Sequence, residues 1–327
     1  MTNCCQSNRY FRIFATSFSI FENMAEKQHT IKKSVSISGT GLHTGQSGTL
    51  TFHPAEINHG IKFRRVDLFG QPIVEASVFN VVDTSRGTTI AQNGVKVYTV
   101  EHIMAALRAS NIDNVLIDLN CEEPPILDGS SRIVFDALKE AGYEEQDAER
   151  KCLKITKRIV YTHPKVGCEL VVEPADKFSI DVKVDYKSGV LNVQEAHLHD
   201  ISEFEKEFAM CRTFVFFQEL EMLLAHNLIK GGDLSNAIVF IEKQVSEEDL
   251  KRVAKLFHKE SVAVHEGGIL NNVTLYFENE PARHKLLDLV GDLTLLGMPI
   301  IGKVTAYKPG HFANTEFVKQ IVKKMGV

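Results

Sequence analysis

The sequence predicts an α+β protein built from two similar units, each combining strands with helices. Strand-like alternation and helical periodicity follow the same order in both halves of the chain. In each half a helix beginning at a histidine, His102 or His284, runs for about three turns and leads into an apolar strand. A charged stretch at 144–151 separates the halves, and 327 residues is long for one core. We therefore expect domains at 29–150 and 151–327, whose helix starts would meet if the units pack face to face.

The first 28 residues are predicted to be a poorly ordered N-terminal extension. Residues 1–23 contain two arginines, several aromatic and hydroxyl side chains, and no acid before Glu22. Three interpretations remain open: an extension upstream of a true start at Met24, a targeting sequence, and an interaction tail. The apolar run is interrupted by Arg12 and no small-x-small cleavage site follows it, which favours the first interpretation.

The first half is predicted to consist mainly of strands that precede two helices. Alternating polar and apolar residues begin at Thr30, and a glycine-rich stretch at 39–45 interrupts them. An Asn93-Gly94 turn divides a later segment. The predicted elements are strands within 30–55, 61–68 and 87–100, a helix at 101–110, a strand at 112–120, a Pro/Gly loop at 122–131, and a helix at 131–142 closed by Gly142.

The second half repeats this order of strands and then helices. Ser246 and Asp249 form a predicted capping box at the start of one helix. The predicted elements are strands at 153–160, 168–173, 178–186, 236–241 and 300–307, and helices near 202–210, 217–227, 247–260, 283–296 and 314–324.

The bulk composition excludes several classes of protein. A net charge of −5 without a basic block argues against nucleic-acid binding. Six scattered cysteines without a C-x-x-C pair indicate neither a zinc ribbon nor a disulfide framework, and they fit a reducing cytoplasm. No apolar run approaches the ~20 residues that cross a membrane. The expected partner is a small molecule or another protein.

The segment HKLLDLVGDL (284–293) places His284, Asp288 and Asp292 on one face of a helix, one turn apart. A solvated polar face opposite an apolar one is the ordinary explanation. However, His and Asp are poor helix formers for such a face. The H-x-x-x-D spacing also allows an imidazole and a carboxylate to reach one metal ion.

A catalytic zinc site has three protein ligands, so His284 and Asp288 would need a third. The stretch TVEH offers His102, with Glu101 beside it as a group able to take a proton from water. The alternatives are a first-turn carboxylate favoured by the helix dipole and a histidine buried at an interface.

Two further residues are candidates for the chemistry. His311 follows a predicted strand on a Pro-Gly turn, where a histidine is well placed to act as a general acid, although turn chemistry alone is an alternative. Thr213 could donate its hydroxyl to an oxyanion, although a threonine in a strand is commonplace. The segment 214–232 is rich in Phe and Leu, which indicates either a core helix or a sheath for an acyl chain.

A series of motifs occurs in order along residues 29–320. They are GTGLHTG (39–45), TVEH (99–102), IDNVLI (112–117), PILDGSS (125–131), RTF (212–214), GGDLSNAIV (231–239), RHKLLDLVGDL (283–293) and KPGHFAN (308–314). Together they resemble the UDP-3-O-acyl-N-acetylglucosamine deacetylases, the zinc amidases of lipid A synthesis. The ordered set is far more specific than any one motif.

The resemblance implies a fold and a set of roles. The family fold is two domains, each a sheet with two helices, packed helix to helix as a β-α-α-β sandwich. The implied roles are one catalytic Zn²⁺ on His102, His284 and Asp288, general base for Glu101, protonated acid for His311, orientation of His311 by Asp292, and oxyanion stabilisation by Thr213.

Substrate contacts are implied in the same way. Lys285 and Lys308 match positions near the sugar and diphosphate, and Phe178 would stack on uracil. The insert 213–234 would be a βαβ passage for the 3-O-acyl chain. Its implied lining residues are Phe214, Phe216, Leu220, Leu223, Leu224 and Ile229.

The implied activity is hydrolysis of the N-acetyl group of UDP-3-O-(3-hydroxyacyl)-N-acetylglucosamine by a cytoplasmic monomer. Two alternatives stay open: a zinc amidase with another substrate, and a catalytically silent homologue that binds acyl-sugar nucleotide or a partner protein. Some family members continue into a hydroxyacyl dehydratase domain. This sequence stops at Val327 without one, as expected either of a single-function protein or of a truncated one.

Overall fold

The computed structural model describes residues 26–225, 230–243, 245–257, 259–265, 268–270 and 273–327. Within these ranges the architecture is α+β, as predicted, with two five-stranded sheets and several smaller ones. The same ranges contain no helix with the length and apolar character needed to span a bilayer.

The first half contains ten strands and two helices. Apolar side chains on alternate positions bury one face of each central strand. The elements are β1 (Lys27–Ile31), β2 (Val35–Thr40), β3 (Ser47–Pro54), β4 (Ile61–Arg65), β5 (Ile73–Glu75), β6 (Val81–Asp83), β7 (Thr89–Gln92), β8 (Val95–Val97), α1 (Glu101–Ala109), β9 (Val115–Leu119), α2 (Arg132–Ala141) and β10 (Tyr143–Glu149).

The second half has more helices. Four of its N-terminal strands and its last strand build one sheet, and four of the strands between them form a separate small sheet. The elements are β11 (Leu153–Lys154), β12 (Ile159–His163), β13 (Cys168–Glu173), β14 (Ser179–Val184), β15 (Gln194–Leu198), α3 (Phe204–Glu207), β16 (Phe214–Phe216), α4 (Phe217–Ala225), β17 (Ile238–Phe240), α5 (Glu247–Leu256), β18 (Val264–His265), β19 (Ile269–Leu270), α6 (Glu280–Thr294), β20 (Ile300–Ile301), β21 (Lys303–Tyr307) and α7 (His311–Met325).

The two large sheets have the same topology. Their strand orders are β2-β3-β9-β4-β5 and β12-β13-β21-β14-β15, so in each sheet the strand that comes last along the chain inserts between the second and third strands of that sheet. In both, that inserted strand pairs antiparallel with one neighbour and parallel with the other. One helix precedes it and one follows, α1 and α2 in the first unit, α6 and α7 in the second. The structure thus confirms the two similar units.

The helices lie between the two sheets. Helix α1 packs against both α2 and α6, α6 packs on β14 and β15, and α7 covers β12 and β13. Because α1 has neighbours on several sides, every residue from Glu101 to Leu107 is buried. The polar side chains at the start of α1 are therefore enclosed by protein and do not form a wet helix face.

The insert forms its own small sheet, ordered β16-β17-β19-β18. Strands β16 and β17 are parallel and α4 connects them, which is a βαβ unit. Its second strand lies at 238–240, so the unit extends past the predicted limit at residue 234. Side chains alternate between the two faces. Phe214, Phe216 and Phe240 lie in one cluster, whereas Val239 packs with Leu220 of α4 in another.

The charged stretch 144–151, predicted to be the junction between domains, forms most of β10 instead. Antiparallel pairing with β1 places Lys27 opposite Glu149. A strand needs only backbone partners, and most charged side chains here point outward. Lys27 and Gln28 consequently belong to β1, and the prediction that they are part of a disordered extension is wrong. Residues 1–25 lie outside the described ranges.

Two helix predictions also need correction. The helix expected at 202–210 is only a 3-10 turn followed by the one-turn α3, because Phe204 and Phe208 are buried and the chain then turns away. The last helix begins at His311 and not at Asn314. The Asn314 side chain accepts a hydrogen bond from the Gly310 backbone N–H, which ties residue 314 into the first turn.

Candidate active site

Three buried side chains converge where α1 meets α6. His102 is the second residue of α1, and His284 and Asp288 lie one turn apart on α6. The Asp288 Oδ1 atom lies 3.6 Å from His102 Nε2 and 3.3 Å from His284 Nε2. The two imidazole rings are perpendicular, with centroids 5.1 Å apart. Their ligand atoms all lie within 4.8 Å of one another, a spacing that allows one metal ion to be held.

The donor atoms of this cluster fit a divalent transition metal. His284 Nδ1 lies 3.0 Å from the Cys211 carbonyl oxygen, which only an N–H can satisfy, so the lone pair is on Nε2. Burial lowers the pKa of His284 to about 3 and keeps it in the neutral form that metals require. Asp288 Oδ2 accepts from Lys285 at 2.9 Å, whereas its buried Oδ1 has no hydrogen-bond partner. A bound cation would satisfy that orphaned oxygen.

The Asp288 carboxyl group remains ionised despite its burial. Burial alone would raise its pKa, but the Lys285 ammonium and the cationic His311 outweigh that effect and hold the pKa well below the usual range. Lys285 is charged for the reciprocal reason, because Asp288 raises its pKa against the opposing effect of burial. The site therefore offers a carboxylate ligand, as a metal requires.

A second ion pair fixes the segment that orients His284. Glu280, the first residue of α6, is fully buried and accepts hydrogen bonds from the Arg212 backbone N–H and guanidinium. This pair holds residues 211–213 against the start of α6. The Cys211 carbonyl is thereby placed beside His284, as expected for the outer partner of a metal-binding histidine.

A glycine permits the close crossing of the two helices. A Cβ atom on Gly291 of α6 would lie only 2.1 Å from the Glu101 carbonyl oxygen. Any side chain at position 291 would push α1 away from α6. Because Asp288 and Asp292 flank this glycine on the helix face, the close approach brings both carboxylates to the start of α1.

Glu101 is 3% exposed and is held by one strong contact. The Thr88 backbone N–H donates to its Oε2 at 2.9 Å. Its Oε1 lies 3.8 Å from His311 Nε2. Burial raises the pKa of Glu101, although the neighbouring histidines act in the opposite direction. A raised carboxyl pKa is what a proton acceptor working near neutral pH needs.

His311 is tied to Asp292 and points toward the cluster. Its Nδ1 lies 2.9 Å from Asp292 Oδ2, and its Nε2 lies 3.9 Å from Asp288 Oδ2. Burial lowers the pKa of His311, but the carboxylates of Asp292 and Glu101 outweigh it and raise the pKa to about 9. The imidazole is therefore a cation that can donate a proton from Nε2.

Asp292 is fully buried and fully hydrogen-bonded. Thr88 donates its hydroxyl to Oδ1 at 2.6 Å, and the Asn314 side-chain amide donates to Oδ2 at 2.8 Å. The carboxylate is consequently fixed in one orientation before it contacts His311. Thr88 and Asn314 were not predicted from the sequence, because nothing in either local pattern indicates the partner.

The remaining predicted polar residues lie around this centre. Lys285 is bonded to Asp288, and its Nζ also lies 5.6 Å from the centroid of the Phe214 ring. Lys308 directly follows β21 and lies three residues before His311, with its Nζ 3.3 Å from Asp185. Thr213 lies just before β16, and its backbone N–H donates to the Gly129 carbonyl oxygen.

The predicted apolar residues divide into separate groups. Phe214 makes an edge contact with His284 at 6.4 Å, and Tyr186 packs against both Phe214 and Phe216. Leu220 instead lies in the core on the α4 side of the insert, so it does not share the face of those phenylalanines. The side chains of Leu223 and Leu224, and the whole of Ile229, lie outside the described residues.

Phe178 is not brought together with the other candidates. It is 8% exposed and lies beneath the Arg108 guanidinium, 5.6 Å from it, near the C-terminal end of α1. The catalytic candidates on that helix are at its opposite end. This placement gives no support to the prediction that Phe178 stacks on uracil.

The glycine-rich loop 39–45 is organised by a buried acid. Glu123 is fully buried and accepts hydrogen bonds from the backbone N–H groups of His43 and Thr44 and from the hydroxyls of Thr44 and Thr99. Thr99 lies two residues before Glu101, so this loop supports the start of α1. The sequence predicts a loop at Glu123 but gives no local signal of this role.

Comparisons with known proteins show which family this chain belongs to. A family model described as LpxC, UDP-3-O-acyl N-acetylglycosamine deacetylase, matches residues 28–260 and 253–323. A protein of Chlamydia pneumoniae named UDP-3-O-acyl-N-acetylglucosamine deacetylase is 36% identical over 91% of this chain and 98% of its own length. One of the same name from Psychrobacter cryohalolentis is 35% identical over 93% of this chain and 88% of its own length.

A longer relative matches as well. A protein of Bacteroides thetaiotaomicron named bifunctional enzyme LpxC/FabZ is 46% identical over 91% of this chain and 65% of its own length. The chain thus spans a little under two thirds of the bifunctional relatives that it matches. The family match covers nearly all of the described residues and includes every member of the His/Asp cluster. The chain belongs to the UDP-3-O-acyl N-acetylglycosamine deacetylase family.

Proposed function

We propose that the protein hydrolyses the N-acetyl group of UDP-3-O-(3-hydroxyacyl)-N-acetylglucosamine in lipid A synthesis, releasing acetate and the free amine. The observation that carries the proposal is the unpartnered Asp288 Oδ1, which faces the Nε2 atoms of two histidines in a chain of this family. A charged buried oxygen without a partner is costly unless the site holds a cation. The relatives named as deacetylases support the choice of substrate.

His102, His284 and Asp288 would hold one zinc ion in this proposal. Zinc suits an imidazole and carboxylate donor set, and three protein ligands leave a position open for chemistry. When bound, the ion would polarise the acetamide carbonyl and make water easier to deprotonate.

Glu101 is the proposed general base. Its carboxylate takes a proton from the water molecule that attacks the acetyl carbonyl carbon. Thr88 holds one oxygen of this carboxylate, which leaves Oε1 directed toward His311 and available for the transfer. The residue directly follows the strand-to-helix junction and is adjacent to His102, so base and metal site are fixed by the same turn of α1.

His311 is the proposed general acid. As the C–N bond breaks, the leaving nitrogen takes the proton from His311 Nε2 and departs as a neutral amine. Asp292 orients the ring through Nδ1 and stabilises its cationic form. The cation also lies where negative charge develops in the transition state, which lowers its energy. Asp292 is thus a positioning residue in this proposal.

The substrate side of the proposal rests on the surroundings of the cluster. Phe214 and Phe216 form an apolar face that starts at His284 and suits an acyl chain. Lys308, three residues before His311, would meet an anionic group of the substrate. Thr213 would stabilise the oxyanion, since its neighbour Arg212 and Cys211 are already fixed against α6.

The proposed setting is the cytoplasm, with the protein as a monomer. The four cysteines of the described ranges are free thiols, which fits a reducing compartment.

The test is acetate release from UDP-3-O-(3-hydroxyacyl)-N-acetylglucosamine, measured with protein as isolated, after chelation, and after zinc is restored. We expect activity that disappears with the metal and returns with it. UDP-N-acetylglucosamine, which has no acyl chain, serves as the control and should release acetate far more slowly. A folded, zinc-loaded protein that releases no acetate would contradict the proposal and favour another amide substrate or a silent homologue.

A further inference from the structure

A cavity of about 310 Å³, apart from the candidate active site, lies between the two units. Its wall combines the C-terminal end of α1 with the C-terminal end of α6, including Arg108, Ile112 and Leu293. The cavity wall includes none of the three candidate metal ligands. From His102 to Arg108 the helix axis advances ~9 Å, so the cavity is separate from the candidate active site.

Most of the cavity wall is apolar. Ile61 and Ile112 come from the first unit, and Val290, Leu293 and Met298 come from the second. An apolar wall of this kind is typical of sites for small organic molecules. A cavity of about 150 Å³ already holds benzene, so this one has room for roughly twice that, about ten to twelve non-hydrogen atoms.

The charged groups in the wall leave one cation without a counterion. Lys62 pairs with Glu75 at 3.4 Å, and Arg150 pairs with Asp113 at 2.8 Å. Arg108 forms no ion pair with a carboxylate of the described ranges. The Arg108 guanidinium donates a hydrogen bond of 3.2 Å to the Asn111 side-chain oxygen. The two acids of the wall are thus each bound to another cation.

The surroundings of Arg108 increase the cost of that charge. Its guanidinium lies over the Phe178 ring, which shields one side from water. Burial, together with the nearby Arg150, lowers the pKa of Arg108 to about 10. A partly buried charge without a counterion destabilises the folded protein, and an anion in the cavity would remove that penalty.

We propose that this cavity binds a small amphipathic carboxylate, with the carboxylate on Arg108 and a short apolar tail between the two units. A single unpaired guanidinium balances one negative charge, which favours a carboxylate over a phosphate dianion. The planar guanidinium also matches a carboxylate in a two-bond geometry. The apolar residues from both units then enclose the tail.

Binding in the cavity would stabilise the folded protein, because the ligand contacts both units only when they are packed together. Helix α6 carries Val290 and Leu293 in the cavity wall and Asp288 in the metal cluster. The cavity and the candidate active site are therefore both lined by α6, but they have no residue in common.

Octanoate is the probe, with octanamide as a neutral ligand of the same shape. Calorimetric titration of the full chain should show octanoate binding at least about tenfold more tightly than octanamide, a difference of about 1.4 kcal/mol. In Arg108→Met the two ligands should bind equally. Arg158→Met is the matched control, because it removes an exposed guanidinium paired with Glu173 and should preserve the preference.

Methyl NMR of the unmodified chain gives an independent readout if Arg108→Met does not fold. With ¹³C-methyl methionine, octanoate should shift the Met298 resonance and leave that of Met325, on α7, unchanged. A preference for octanoate that survives Arg108→Met would place the binding elsewhere, in the apolar face near Phe214. Absence of binding at millimolar octanoate, or an unshifted Met298 methyl, would overturn the proposal.

Discussion

In the first unit α1 precedes and α2 follows the strand inserted into the five-stranded sheet, and in the second unit α6 and α7 occupy the matching places in the chain. The helices that begin at matching places supply different groups. At the start of α2, the Ser131 hydroxyl donates to the His102 carbonyl oxygen, which is a structural contact. At the start of α7, His311 faces the cluster.

This difference shows how a repeated fold produces a single site. The second unit supplies two of the three candidate metal ligands, together with Asp292 and His311. The first unit supplies Glu101 and His102, and Thr88 beside them. Neither unit alone contains both a complete metal site and its acid and base. The centre exists only because α1 crosses α6 closely, as Gly291 permits.

The largest effects should come from substituting one metal ligand of the second unit and the general base of the first. His284→Ala should lose both bound zinc and acetate release, because it removes a ligand. Glu101→Gln should keep zinc and lose about 10²- to 10⁴-fold in turnover, because it removes only the base. Zinc content by mass spectrometry and acetate release measured on the same samples separate the two roles. Normal turnover in Glu101→Gln would rule out the general-base assignment.

The next largest effect should come from Asp292→Asn. An amide still accepts one hydrogen bond but no longer stabilises the cationic His311, so we expect turnover to fall about 10- to 100-fold with zinc content unchanged. The control is Thr88→Val, which removes one hydrogen bond to Asp292 and keeps its charge. Its turnover should fall less. Equal losses in both variants would indicate that packing, and not charge, is the main contribution.

Gly291→Ala tests the contact between the units themselves. The added methyl group would lie 2.1 Å from the Glu101 carbonyl oxygen, so the helices must separate. We expect a loss of about 1–3 kcal/mol in the free energy of unfolding, measured by urea titration. Gly189→Ala is the matched control, since nothing lies within 4 Å of that position. A Gly291→Ala protein as stable as this control would contradict the close crossing.

The smallest effect is expected at a surface contact between the halves. Lys139 on α2 pairs with Glu205 on α3 at 2.7 Å, and both side chains are solvent-accessible. Lys139→Ala should leave the midpoint of urea unfolding close to that of the unchanged protein, because water screens the pair. The same urea titration measures it. A clearly lower midpoint would mean that contacts outside the helix crossing also hold the units together.

Much of the fold could be predicted from periodicity, whereas β10 could not. Its sequence, YEEQDAE, is highly charged and shows no apolar face, because its pairing with β1 depends on backbone groups that every residue has. The start of α7 was missed for a related reason. The Pro-Gly pair indicated a turn, but Gly310 is the residue immediately before the helix and His311 is its first.

The candidate site could be predicted where its residues share one element. His284, Asp288 and Asp292 are one turn apart, so helical spacing alone places them together. Thr88 and Asp292 are 204 positions apart, and no local pattern predicts their hydrogen bond. The inter-helix glycine was equally invisible, because its role depends on a carbonyl of another helix.

The pairing of β1 with β10 also sets limits for shortening the protein. Strand β1 pairs with β10, the last strand of the first unit, and Ile31 at the end of β1 is fully buried. A shortened chain that begins at Glu26 keeps every one of these backbone partners. One that begins at Val35 would leave the backbone of β10 unpaired and expose the pocket that Ile31 fills. Expression boundaries are therefore set by a strand of only five residues, far from the chemistry.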